Sequence, residues 1–188
     1  MHSTAATGRL VTYVALLRAV NLGARNKVSM VDLRQVFLGL GAEDVATYLQ
    51  SGNVIFKSRS QKPGDLVAAV EGEVSRVLGL SVTVLLRTAG ELTDIVKVNP
   101  FANGGREIPK LHVTFLSDSP ESARVRELAA KDVEPDELSV VGREVYLHCP
   151  NGYGRSRLTN AYLEKQLGTA ATTRSWKTVT KLAELAGS

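Results

Sequence analysis

Val45-Ala-Thr-Tyr-Leu-Gln50-Ser-Gly-Asn-Val-Ile-Phe-Lys57 is the stretch on which the fold turns. Two short β-prone runs, Val45–Gln50 and Asn53–Lys57, flank Ser51-Gly52, and glycine accepts the positive φ that a hairpin turn demands. Upstream, Ser29 with Asp32 three residues on forms a capping-box arrangement. Met30, Leu33, Phe37 and Leu40 then recur at helical spacing until Gly39 and Gly41 end the run. Further upstream, the mostly apolar Leu10–Leu17 reads as a buried strand. Downstream, Pro63-Gly64 opens a helix with an expected core face of Leu66, Val70, Val74 and Val77, stopped at Gly79. Ser81–Arg87 then alternates as a strand, with Val82, Val84 and Leu86 on one face. The order is β-α-β-β-α-β, the ferredoxin-like split βαβ. Thr88 with Glu91 starts a linking helix that ends before Asn99-Pro100.

The order then restarts. Lys110–Leu116 is a strand, and Ser119-Pro120 opens a helix to about Ala130. Glu137–Val141 and Arg143–Cys149 make a second hairpin around Gly142. A glycine-bearing connection, Pro150–Ser156, leads to a helix over Arg157–Leu167. A last helix from about Trp176 presents Val179, Leu182 and Ala186 on one side. The second half therefore reads β-α-β-β-α-α. The expected fold is α+β, with two packed ferredoxin-like subdomains over residues 9–98, including the linking helix, and 99–188.

With 44% hydrophobic and 22% charged residues, the 188-residue chain has the composition of a soluble globular protein and not of a disordered one. Its apolar runs are far shorter than the ~20 residues of a membrane helix, and Met1–Gly8 does not resemble a signal peptide. A single cysteine, Cys149, makes no intramolecular disulfide, so a cytoplasmic location is expected. The net charge of +4 is unevenly spread: residues 1–40 carry five basic groups against one acid, and residues 150–188 carry six against two. If the basic ends meet in space, they form a surface suited to phosphate or another anion.

Three segments have the residues for such a site. Arg18 to Lys27 leaves a buried strand and enters a capped helix, whose N-terminus favours an anion. The hairpin turn lies at the same end of the sheet, which brings Gln50, Ser51 and Asn53 towards Asn21 and Asn26. Asn151–Arg157 combines two glycines with two arginines able to fork onto phosphate. Thr172–Thr178 places hydroxyls, Arg174 and Trp176 at a helix start. Each also has a plain structural reading, in which asparagines and glycines set turns and Trp176 anchors a core. No phosphate-binding loop or complete dinucleotide fingerprint is present. His112 and His148, on strands expected to pair, could meet as a proton-transfer or metal pair, although filling a sheet face is the simpler account. Cys149 reads as a structural thiol.

Val14-Ala-Leu-Leu-Arg-Ala-Val-Asn-Leu-Gly23, Asn26-Lys-Val-Ser-Met30 and Tyr48-Leu-Gln-Ser-Gly-Asn-Val-Ile-Phe56 closely resemble the family called domain of unknown function 1697. Asn99-Pro100-Phe101, Asn151-Gly-Tyr-Gly-Arg-Ser156, Thr173-Arg174 with Trp176 and Thr178, and Val179-Thr-Lys-Leu182 agree too. The resemblance spans about Leu10 to Leu185. It implies two α+β subdomains and no established activity. Ala19 and Ala24 depart from it where glycine is common, and Ser175 and Lys177 where asparagine is.

The expected function is binding of a phosphate-bearing ligand, a nucleotide or nucleic acid. Arg18, Arg25, Lys27, Arg155, Arg157 and Arg174 would supply charge. Asn21, Asn26, Gln50, Ser51 and Asn53 would orient the ligand, with Tyr153, Thr173 and Trp176 completing the site. No cofactor or metal is called for, and the oligomeric state is not readable. A small enzyme acting on a phosphorylated metabolite is the alternative, with Glu43, Asp44 or the strand histidines as base. A structural or protein-interaction module is the third reading. Few aromatics fall on strands (Tyr48, Tyr146, Phe56), which disfavours sequence-specific RNA recognition.

Overall fold

The structure is a computed structural model that describes residues 8–18, 20, 27–59 and 61–188. The chain divides after Gly90 into a first unit, which also takes in Leu185–Ser188, and a second unit running from Glu91 to Glu184.

The first unit contains β1 (Leu10–Arg18), α1 (Met30–Gly39), β2 (Glu43–Tyr48), β3 (Asn53–Arg59), α2 (Pro63–Leu78) and β4 (Thr83–Thr88). Its antiparallel sheet has the order β2-β3-β1-β4, as the split βαβ pattern requires. Ser29 caps α1 with its Oγ, accepting from Val31 N–H at 3.2 Å. Tyr13, Ala15 and Leu17 of β1 alternate onto the helix-side face and meet Leu33, Val36 and Phe37 of α1 and Leu66, Val70 and Val74 of α2. Val77, expected in that core, is 46% exposed. A helix repeats its face every three to four residues, and after Val74 the place in the stripe passes to Leu78, which packs on the core. Val14, Leu16, Leu85 and Arg87, on the opposite face, are also buried.

The second unit contains α3 (Ala89–Lys97, entered at Glu91), α4 (Pro100–Asn103), β5 (Leu111–Leu116), α5 (Ser122–Ala129), β6 (Glu137–Val141), β7 (Glu144–His148), α6 (Asn160–Leu167), β8 (Ala171–Ser175) and the start of α7 (Trp176–Ala186). Its sheet order, β6-β7-β5-β8, repeats that of the first unit. The repeat extends to detail. Leu17 N–H donates to Gly52 O and Leu116 N–H to Arg143 O, each at 2.8 Å, so both hairpins are tied to their central strand in the same way.

The eighth strand corrects the β-α-β-β-α-α reading. Ala171-Thr-Thr-Arg-Ser175 is short and polar, with no apolar alternation, and it is held by its ladder to β5 from Leu116↔Ala171 to His112↔Ser175. Both units are thus complete ferredoxin-like folds. In α7, Trp176, Val179, Leu182 and Ala186 form the expected buried stripe.

Candidate functional site

The first candidate edge lies where β1 ends. β1 and β3 run antiparallel with Leu16 opposite Asn53, so the β2–β3 turn sits beside the exit of β1. Gly52 makes this contact close. A Cβ built on it would overlap Val20 Cγ2 and come within 2.9 Å of Leu17 Cβ, and its φ is +72°. The turn is braced from within by the buried Asn53, whose Nδ2 donates to Tyr48 O and Ser51 Oγ, both at 2.8 Å. Asn53 therefore serves the turn itself. Gln50 and Lys27 are exposed, and Arg18 is half-buried opposite Thr83. Val20 and Val28 are buried in the first core. Asn21, Arg25 and Asn26 lie outside the described residues. The N-terminus of α1 opens at this same edge, with Ser29 as its cap.

The second unit carries a polar network on its helix-side face. Thr173 Oγ1 donates to Asn160 Oδ1 at 2.6 Å and receives Tyr153 O–H at 3.1 Å, while Thr114 Oγ1 lies 2.7 Å away. One hydroxyl thus ties the 3-10 turn Tyr153–Arg155 and the start of α6 to β5 and β8. Tyr153 and Thr173, both expected at a site, do come together, as parts of this brace. The His112 ring stacks on Tyr153 at 4.9 Å, and its Nδ1 is buried without a hydrogen-bond partner. Burial holds the His112 imidazole below its ordinary pKa and pushes the Tyr153 phenol above its own.

Other expected site residues of this unit lie apart from that network. Thr173 faces the helices, so the next residue, Arg174, faces the other way, opposite Val113 in the ladder. It is buried, its Nη1 donates to Thr172 Oγ1 at 2.8 Å, and desolvation lowers its pKa to about 10. Trp176 is 5% exposed and offers no face for stacking. Arg155 and Arg157 are exposed on the glycine-bearing connection, and Arg157 Nη2 donates to Asp132 O at 3.0 Å.

The histidines do not meet. The register pairs Leu111 with His148 and His112 with Leu147, so the rings project from opposite faces of the sheet. His148 Nδ1 lies 2.7 Å from Glu137 Oε1, and Arg106 Nη2 donates to Glu137 Oε2 at 3.0 Å. These neighbours hold the Glu137 carboxyl below its ordinary pKa. Cys149 is fully buried, which pushes its thiol up to about 11. The roles of Thr114, Asn160 and His112 are invisible in one dimension. The single hint is the hydroxyl of Thr114 at an inward strand position, where an apolar residue is the rule.

A family model described as a protein of unknown function, DUF1697, matches residues 10–146. Among solved structures, that of a conserved bacterial protein from Streptococcus pneumoniae is similar, with a TM-score of 0.76 and 21% identity. The match covers 95% of this chain and 99% of that one, and it shows the fold. No curated protein matches the chain.

Proposed function

We propose that this protein, which belongs to the DUF1697 family of proteins of unknown function, binds a small phosphate-bearing ligand at the edge of its first unit. The observation that carries the reading is the close seat of Gly52 on Leu17, beneath Val20. It fixes the turn bearing Gln50 and Ser51 beside the strand end bearing Arg18, and Lys27 stands shortly before the cap of α1. Basic side chains and amide donors beside the positive end of a helix together favour an anion. A cytoplasmic setting belongs to the same proposal.

A nucleotide fits better than a polynucleotide, because of the three strand aromatics weighed for stacking bases Phe56 and Tyr146 are each 1% exposed, which leaves the half-buried Tyr48 alone. Binding is favoured over turnover because the groups weighed as bases sit elsewhere. Glu43 and Asp44 stand at the opposite end of the β2–β3 hairpin from Ser51, Asp44 paired with Lys57 at 2.8 Å, and the two histidines belong to the other unit.

Calorimetric titration with inorganic phosphate and nucleoside mono- and diphosphates tests this. The expected result is saturable binding that Arg18→Ala or Gln50→Ala weakens about tenfold, the scale of one charge-assisted hydrogen bond. Absence of heat with every phosphate compound would overturn it. A steep fall in affinity with added salt would transfer the site to a polynucleotide.

A further inference from the structure

An outer strand of a sheet leaves a row of main-chain N–H and C=O groups open to another strand, and proteins usually block it. Among the described residues the two sheets have four outer strands, and three of them carry such a block. In β2 the register shifts between Glu43 and Ala46, Asp44 stands at φ +50°, and adjacent carboxylates mark the bulge. In β4 the Val84 N–H donates to Glu71 Oε1 of α2 at 2.8 Å. In β8 the Ala171 N–H donates to Glu164 Oε1 of α6 at 2.9 Å. The helix that precedes the last strand of each βαββαβ repeat, α2 or α6, thus reaches over and occupies an edge donor.

β6 has none of these among the described residues. Its register with β7 is regular from Glu137↔His148 to Val141↔Glu144, with no bulge and no proline. After Glu137 the strand is Leu-Ser-Val-Val, without a charge. The direction of its free groups follows from the ladder. Leu116 N–H bonds to Arg143 O, so alternate residues of β7 turn to β5 and the others, Glu144, Tyr146 and His148, turn to β6. Their partners Val141, Ser139 and Glu137 are thereby engaged. Leu138 and Val140 are left with N–H and C=O pointing away from the sheet.

We propose that β6 pairs antiparallel with β6 of a second copy, about a twofold axis at Ser139, joining two four-stranded sheets into one of eight strands. In that register Leu138 and Val140 of the partner subunit are the hydrogen-bonded pair, which uses the groups that point outward. This register brings no like charges together. Glu137 falls opposite Val141 of the partner subunit, so no like charges face each other, and Glu137 is already held by Arg106 and His148. A five-residue edge buries less than the roughly 1,200–2,000 Å² of a standard stable interface, so the association is weak and concentration-dependent.

Sedimentation equilibrium of the full chain over about 10 μM to 1 mM tests this. The wild type should pass from monomer to dimer. Ser139→Lys and Ser139→Glu each place like charges on the axis and should each weaken association about tenfold. An equimolar mixture of the two should restore it, because only a twofold axis at this residue sets the lysine against the glutamate. Far-UV circular dichroism should show both variants folded as the wild type is. A monomer at every concentration overturns the proposal and leaves the edge to another protein's strand or to none. Association unaffected by either substitution, or weakened by both and not restored by mixing, overturns it equally.

Discussion

Replacing Gly52 with alanine isolates the contact on which the candidate edge depends. Two costs add. The +72° φ of Gly52 is one that an L side chain enters at about 1 kcal/mol or more. The new Cβ would also stand 2.9 Å from Leu17 Cβ, an atom fixed to the central strand, and would overlap Val20 Cγ2. Val20 is 2% exposed and has little room to turn away. Overpacking of this kind costs about 1–3 kcal/mol, so the total is about 2–4 kcal/mol. Gly79→Ala is the control, since Gly79 has φ +66° and nothing within 4 Å of its ideal Cβ. It should lose only the conformational part, about 1 kcal/mol. Urea unfolding separates them: at a slope of about 2 kcal/mol/M, the Gly52 variant's midpoint falls by about 1–2 M and the control's by about 0.5 M. Equal losses in the two variants would refute the close approach. Unchanged slopes would show that one transition is being compared.

Four other measurements test the second unit and the sheet edges. Tyr153→Phe removes one hydroxyl from the network and should cost about 1 kcal/mol. Thr173→Val, which strands Tyr153, Asn160 and Thr114 together, should cost about 2–3 kcal/mol; equal losses would show that Thr173 is not the hub. Burial lowers the His112 pKa in the folded state, so as pH falls below about 6.5 the unfolded chain takes up the proton first and stability drops. His112→Phe should flatten thermal stability against pH in that window, and an unaltered slope would refute the assignment. Cys149 should resist thiol reagents in the native protein at pH 8 and react fully once unfolded, because it is buried and its pKa is raised to about 11. Glu164→Ala should cost about 1 kcal/mol by freeing the Ala171 N–H, measured by urea unfolding; no loss would show that the edge donor needs no cap.

Short spacings carry most of the architecture. The hairpin at Ser51-Gly52, the Ser29 cap, the Leu66-Val70-Val74 stripe and the split βαβ order follow from neighbours one to four residues apart. These constraints are local in the chain, so they are legible in one dimension. Tertiary structure alone decided which polar residues turn inward and what they meet. Thr114 and Thr173 are 59 positions apart and share a hydrogen bond, and that pairing makes Ala171–Ser175 a strand despite its polar composition. Ladder parity set His112 and His148 on opposite faces, and reach across space brought Glu71 and Glu164 to edge donors while leaving β6 open. A polar side chain is stable indoors only with a partner, and the partner's identity depends on how distant segments register, which local spacing does not encode.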